Sequence, residues 1–370
     1  MAGQPRANHE RARLPRAVSA PPLLRHLAAI SESFEHESGP ISYVHTYAMP
    51  SPTDDGTASL EFIRAAESGT EGIACIDDAA RAALLACEVY EQQRVSSALQ
   101  LARLWLNFVL YMQEADGQFV NFILDRIGRK NRQGRTSFRG GQWWSSRALW
   151  ALAAAWRVTG EQRYREAFAL GRLARTSALK VTAIQALALI EIYRAEPSAR
   201  LEQRILARCD RILAASPTHF VDHADSPSIR PWGYHQLQAV ARAGRLFSRA
   251  DYLARCERTV QRVIAPLIQA DFAAQAPWTQ PPQCAYDISS LVLGLEELYL
   301  ATHRDVYRRQ ALTCADWLYG RNSASAPIHD PATGRCADGV VDGVVSPNCG
   351  AESSIEAGFV ELARRRLLAV

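Results

Sequence analysis

Apolar and polar positions divide this chain into stretches of two kinds. Six stretches, starting near residues 77, 143, 179, 232, 285 and 351, are apolar on nearly every face. In the first of them Ala79, Ala80, Ala82, Ala83, Leu84, Leu85, Ala86 and Cys87 leave too few charges for a surface helix. A helix apolar nearly all round is buried. Each of the first five is followed by a stretch with one apolar and one polar face, at 96–113, 162–175, 198–214, 250–268 and 304–319. Leu23, Leu24, Leu27, Ile30 and Phe34 recur at helical spacing and predict a further helix over 22–34, free to partner the sixth buried one. Helical hairpins that bury a face against their neighbours leave no exposed ends when they close on themselves. The pattern therefore predicts an all-α protein, an (α/α)6 toroid of six helical hairpins forming one domain over 21–370. An open helical solenoid is the alternative.

Between these stretches the pattern changes. Residues 1–20 are polar, Arg-rich and Pro-interrupted, and read as a disordered tail. Residues 36–70 read as loop, broken by Pro40, Pro50, Pro52 and Gly56. Residues 117–140 read as a short β-hairpin insertion with a basic, glycine-punctuated turn.

Composition removes several classes of function. The chain has 370 residues, 48% hydrophobic and 22% charged, with a net charge of +4 spread without any dense Lys/Arg run. Nucleic-acid binding is not expected from this. The N-terminal stretch holds no apolar run of signal-peptide length and no later run is long enough to span a membrane, so no membrane association is expected. The cysteines at 75, 87, 209, 256, 284, 314, 336 and 349 form no CxxC pair and no zinc-like spacing. They read as reduced core residues of a cytoplasmic protein, with no metal and no cofactor expected.

In such a ring the inner helices run parallel, and their N-termini converge on one end of the central cavity. The first mouth carries Glu71, Asp77, Asp78 and Arg81; the second Trp143, Trp144, Ser145 and Arg147, with Asn121, Asp125, Arg126 and Arg139 from the insertion before it. The third has little beyond Lys180. The fourth brings Trp232, Tyr234, His235 and Gln236, the fifth Gln283, Tyr286 and Asp287, and the sixth Asp342, Asn348, Glu352 and Glu356. Carboxylates and aromatic side chains thus recur at five of six mouths. Sugar rings stack their C–H faces on Trp and Tyr while their hydroxyls bond carboxylates, Asn and Arg. Glycoside hydrolysis needs two carboxyl groups, one protonated and one ionised.

Four segments carry a family resemblance: GIACIDDAARAALLA, WWSSRALWALAAAWRVTG, YDISSLVLGLEELYLATH and NCGAESSIEAGFVELA. They resemble the inner-helix segments of the six-hairpin glycosidase superfamily. The likeness extends to a helical glycosidase-related module found alone or attached to bacterial glycosyltransferases, whose pieces resemble C-x-D-D-x-A-R-A (Cys75–Ala82) and R-A-L-W-A-L (Arg147–Leu152). It spans roughly residues 60–368. The superfamily holds hydrolases, hydratases, lyases, phosphorylases and epimerases, so the resemblance implies an oligosaccharide or glycoconjugate ligand and leaves the reaction open.

Every candidate has a structural and a functional reading. Asp77, Asp78 and Asp287 suit helix caps, and Glu352 a first-turn acid. One of Trp143 and Trp144 suits the core, His235 suits a satisfied structural histidine, and the basic turn Arg126–Arg139 suits a solvated lip. The functional reading makes Asp78 and Glu352 the general acid and base of a glycoside hydrolase, with Asp287 and Asp77 next. Trp143, Trp144 and Tyr234 then stack on the sugar, and Arg81, Arg139 and Arg147 position hydroxyls or a carboxylate. Asp125, His235, Tyr286 and Asn348 complete the binding set. Two alternatives stand beside it: a carbohydrate-binding module without turnover acting with a glycosyltransferase, and epimerase or lyase chemistry through His235 or Tyr234.

Overall fold

The computed structural model describes residues 19–52, 58–69 and 71–370. The tail expected at 1–20 lies, apart from Ser19 and Ala20, outside the described residues. The chain opens with α1 (Pro22–Ala29), β1 (Ser31–Phe34), β2 (Ile41–Val44), β3 (Tyr47–Pro52), β4 (Ala58–Ile63) and β5 (Ala74–Cys75). Next come α2 (Ile76–Gln93), α3 (Ser96–Met112), β6 (Phe122–Ile123), α4 (Gln142–Thr159), α5 (Gln162–Leu170), α6 (Leu179–Ala195) and α7 (Ala199–Ala214). Then follow α8 (Gln236–Leu246), α9 (Ala250–Thr259) and α10 (Ala265–Gln269), the last two joined by a π-helical turn at Val260–Ile264. The chain continues through α11 (Ala285–Thr302) and α12 (Asp305–Ala315). The hairpins β7 (His329–Asp330)–β8 (Arg335–Cys336) and β9 (Val340–Val341)–β10 (Val344–Val345) precede α13 (Ala351–Leu368).

The ring is closed. Helix α2 packs on α4, α4 on α6, α6 on α8, α8 on α11, α11 on α13, and α13 back on α2. Outside it, α3, α5, α7, α9 and α12 each pack on the inner helix before them, and α1 covers α13. The chain's first helix thus supplies the partner its sixth inner helix lacks. Alanine-rich inner helices suit this arrangement, since small side chains let neighbouring helices approach closely on two sides while a third faces the outer ring. Residues 148–155 of α4 are buried without exception. Among the described residues no helix is long and apolar enough to cross a membrane.

Three expectations change. The first helix stops at Ala29, where the Ser31 hydroxyl folds back onto the Leu27 carbonyl (2.7 Å) and Ser31–Phe34 pairs with Ile41–Val44 instead. The region 36–70, expected as loop, contains β2, β3 and β4; Pro50 and Pro52 are tolerated because β3 has only β4 as partner. Helix α8 starts at Gln236 rather than near 232, because a turn at Pro231–His235 with Gly233 at φ +66° comes first. The insertion at 117–140 pairs Phe122–Ile123 with Ala74–Cys75, tying it to the start of α2; within it single bridges join Ile123 to Lys130 and Gly134 to Ser137.

The C-terminal ends of the inner helices meet at the opposite end of the ring around a cavity of about 430 Å3. Ion pairs fill its walls: Arg157 with Glu91 and Glu191, Arg242 with Glu297, and Arg366 with Glu296. Cations are favoured at helix C-termini, and here each has found a carboxylate.

Candidate active site

The N-terminal ends of α2, α4, α8, α11 and α13 bring together one charged cluster. At its centre is Arg81, 3% exposed. Its Nη1 donates to Glu356 Oε1 (2.8 Å), and its Nη2 donates to both Asp78 Oδ1 (2.9 Å) and Glu352 Oε2 (3.0 Å). Asp77 lies 3.7 Å away. The Asp78 and Glu352 carboxylates are therefore close neighbours, but with a guanidinium between them. A second buried arginine, Arg147, donates to Asp77 Oδ2 and to the Tyr286 hydroxyl (2.6 Å). Its guanidinium lies about 5 Å from the rings of Trp143, Trp232 and Tyr286.

Behind this sits His235, whose Nε2 is 3.0 Å from the Tyr286 hydroxyl and whose Nδ1 is 2.9 Å from Gln238 Oε1. Burial, with the charges of Arg147, Arg81 and Lys180, pushes the imidazole down to about 3 against the Gln238 hydrogen bond. It is neutral at ordinary pH, with Nδ1–H donating to Gln238 and Nε2 accepting from Tyr286 in the assigned network. A hydrogen-bonded chain thus runs from Asp77 through Arg147 and Tyr286 to His235.

Two of the expected acids stand three residues after a cysteine N-cap. Cys75 caps α2, its Sγ accepting from Asp78 N (3.4 Å) and donating to Asp78 Oδ2 (3.1 Å). The same C-x-x-D arrangement opens α11, where Cys284 is the N-cap and Asp287 Oδ2 accepts from the backbone of Gln283 (2.6 Å) and Cys284 (3.1 Å). Both carboxyls are pushed up to about 6 by burial, Asp78 against the pull of Arg81 and Asp287 against its two backbone donors. Asp287 Oδ1 and Asp77 Oδ1 are buried without a hydrogen-bond partner among the described residues.

Glu352 is different. Its side chain is 34% exposed, Oε2 held by Arg81 and Oε1 accepting from Trp232 Nε1 (3.1 Å). Trp232 stands at the wall of a cavity of about 660 Å3 over the mouth, lined also by Lys180, Asp287, Asp338, Val341 and Val344. A second cavity of about 500 Å3 shares Trp232, Arg230 and Lys180 with the first and adds Trp143, whose ring lies 5.2 Å from that of Trp232. Lys180, the lone polar group of the third mouth, donates to the carbonyls of Arg230 (2.9 Å) and Trp232 (2.7 Å) and pairs with Asp222 (3.1 Å). It pins the loop that carries Trp232.

Asp338 was not among the sequence candidates. It precedes β9, its Oδ1 accepts from Gly350 N (2.9 Å), and its own carbonyl accepts from the Ser353 hydroxyl (3.0 Å). The hairpin is thereby fastened to the first turn of α13, which carries Glu352. Burial and the like charges of Glu352, Asp78 and Glu67 push Asp338 up to about 7, opposed by the Gly350 donor. A signal for it exists in the sequence: Asp338-Gly339-Val340-Val341 is followed by Asp342-Gly343-Val344-Val345. A two-residue Asp-Gly between paired valines is a hairpin signature, and Asp342 (φ +51°) and Gly343 (φ +76°) make that turn.

The remaining candidates lie elsewhere. Trp144 is turned into the core, its indole donating to the Phe119 carbonyl (3.0 Å). Tyr234 is fully buried, its hydroxyl on the Phe220 carbonyl (2.7 Å). Arg139 pairs with Asp116 and Asp125 with Arg129 on the outer lip. Asn348 fastens loops, accepting from Ala48 N (3.0 Å) at its side chain and from Asp338 N (2.8 Å) at its carbonyl.

No family model matches this sequence, and no curated protein matches it. Solved structures do match the fold. A D-mannose isomerase superposes with a TM-score of 0.65 at 10% identity, over 93% of this chain and 96% of that one. Cellobiose 2-epimerase from Spirochaeta thermophila gives a TM-score of 0.62 at 13% identity, over 80% of this chain and 86% of that one. The GH76A α-1,6-mannanase from Salegentibacter sp. gives 0.57 at 13% identity, over 81% and 91%. The chain has the six-hairpin toroid fold of these proteins.

Proposed function

We propose that the protein hydrolyses a glycosidic bond in an oligosaccharide or glycoconjugate bound at the inner-helix mouth, with Asp338 as general acid and Glu352 as the base or nucleophile. The observation that carries this reading is the different hydrogen bonding of two carboxyls at the mouth, Asp338 lining the 660 Å3 cavity and Glu352 held by Trp232 at its wall. Glu352 has a donor on each oxygen, Arg81 and Trp232. Asp338 has one backbone donor and several negative neighbours, so it keeps its proton to about neutral pH. A carboxyl that keeps its proton near neutral pH, with a second carboxyl close by, suits the acid of a glycosidase pair. Asp78, held by Arg81 and Cys75, and Asp287, whose Oδ2 takes two backbone donors, set charge and backbone position. Asp338 gives its proton to the glycosidic oxygen as the bond to the anomeric carbon breaks and the alcohol leaves. Glu352 either takes a proton from the water that adds to that carbon, or attacks it first and is released by water. Trp143 and Trp232 offer the faces on which a sugar ring stacks. The fold shared with a mannanase supports a carbohydrate ligand, and eight free thiols agree with a cytoplasmic setting.

A second reading has its own observation. The neutral His235 on Tyr286, together with the fold shared with an epimerase and an isomerase, favours proton transfer at a sugar carbon. Product size separates the two. Incubation with a panel of oligosaccharides, followed by chromatography and mass spectrometry, is expected to show chain cleavage. Asp338→Asn and Glu352→Gln are each expected to lose about 10²–10⁴-fold in rate with melting temperatures retained. Products of unchanged mass, formed by both carboxylate variants but lost in His235→Asn, would reject hydrolysis for epimerisation.

A further inference from the structure

The β9–β10 hairpin carries a feature that hydrolysis alone does not require. Val341 and Val344 are 52% and 69% exposed, among the most exposed large apolar side chains described. Both line the 660 Å3 cavity, with Val345 and Pro347 beside them. The Asp342-Gly343 turn, with both residues at positive φ, fixes the pair of strands that presents them. Ser346 on the same wall accepts from Asn348 N (3.2 Å). The side chains of Val341, Val344, Val345 and Pro347 offer a ligand no hydrogen bonds. The same cavity is also lined by Trp232, Arg230 and Lys180, which are aromatic or charged.

The position of Asp338 tells which part of a substrate meets the valines. A general acid donates to the oxygen of the departing group, so the departing group lies on the acid's side of the broken bond. Asp338 stands two residues before β9, at the foot of the valine wall. A sugar as leaving group would exchange water for valine methyls around its hydroxyls, which costs free energy for each unpaired polar group. An alkyl or aryl group would gain by the same contact.

We infer that the substrate is a glycoside with an apolar aglycone, its sugar against Trp232 and Trp143 and its alkyl or aryl group along Val341, Val344 and Val345. This rests on Asp338 being the acid. The test uses pairs of glycosides that share a sugar and differ only in chain length: methyl and n-octyl β-glucosides, and methyl and n-octyl α- and β-mannosides. Affinities are measured by isothermal titration below the micelle concentration for wild type, Val341→Ser/Val344→Ser and Asp338→Asn. In at least one sugar series the octyl member is expected to bind on the order of tenfold or more tightly, as several buried methylenes require. The double valine variant is expected to bring the octyl-to-methyl ratio to within about twofold. The substituted residues are at the surface, so the variant folds, which its melting temperature checks. Octyl and methyl members binding wild type equally in every series overturns the inference, as does a preference that survives the double substitution. Asp338→Asn separates the failures. Lost turnover without a chain-length preference leaves the acid assignment standing and removes the aglycone. A preference with turnover intact in Asp338→Asn removes the acid assignment, and with it the placement argued from it.

Discussion

Replacing Arg81 with methionine tests the electrostatic centre of the molecule directly. The guanidinium is buried and is the shared donor of Asp78, Glu352 and Glu356. Methionine keeps the length and apolar stem but leaves those carboxylates without their cation. Removing one partner of a buried ion pair costs about 3–5 kcal/mol. Unfolding entropy of ~2.1 cal/mol/K per residue over a chain of this length turns that into a fall of about 4–6 °C in melting temperature. The loss depends on pH. Asp78 is pushed up to about 6, chiefly by burial, and Glu356 is raised as well, and in both Arg81 opposes the rise. Without Arg81 both go higher. A carboxyl raised in the folded state favours folding at low pH and costs stability as pH climbs through its folded value. At about pH 5 Asp78 of the variant is largely protonated, and what is lost there is hydrogen bonding, about 1–3 kcal/mol. Scanning calorimetry of wild type and variant at about pH 5 and about pH 8 should give a deficit at least twice as large at the higher pH. Equal deficits at both values would refute the reasoning, because they would mean that charge at this cluster does not set its cost.

The same chemistry sets a pH limit on activity. If Asp338 is the acid it must carry its proton, so kcat/KM of wild type is expected to fall as pH rises through about 7. That limb should be absent from the residual rate of Asp338→Asn. Gly350 tests how Glu352 is placed: a Cβ there would meet the Thr46 carbonyl oxygen at 2.1 Å, and that carbonyl is held by Ala351 N (3.1 Å). Gly350→Ala is expected to lose about 1–3 kcal/mol in urea unfolding and to slow turnover, since the start of α13 must shift.

The helices are legible in the sequence because their signal is local. Apolar residues on all faces at 179–194 and on one face at 198–214 separate an inner from an outer helix without knowledge of what each touches. Ring closure also follows, since α1 and α13 are the leftover halves of one hairpin. Strand pairing is less visible, because Phe122 finds its partner at Cys75, almost fifty positions away, and no local period announces that. At the site, convergence of the helix mouths predicts that Asp77, Asp78, Arg81, Arg147, Tyr286, Glu352 and Glu356 meet. It does not predict which of two neighbours faces inward. Successive helical residues point about 100° apart, so Trp143 reaches the cavity while Trp144 enters the core. At the turn before α8, Tyr234 turns outward and His235 inward. Asp338 escaped because its role depends on a hairpin folded back onto the start of α13, a contact with Gly350 that spacing alone does not reveal.

The packing of α1 and α2 against α13 has a consequence for synthesis. The ring joins α1 and α2 to α13, so no partial chain that still lacks α13 has both flanks of α2 covered. Until α13 is free, five hairpins form an arc whose two ends expose the apolar faces later buried against it. Such surfaces are the kind that associate wrongly between nascent chains. The slow event in making this protein should therefore be closure onto α13 rather than formation of any one hairpin. Truncation just before residue 351 should leave a soluble product only where a chaperone holds the gap.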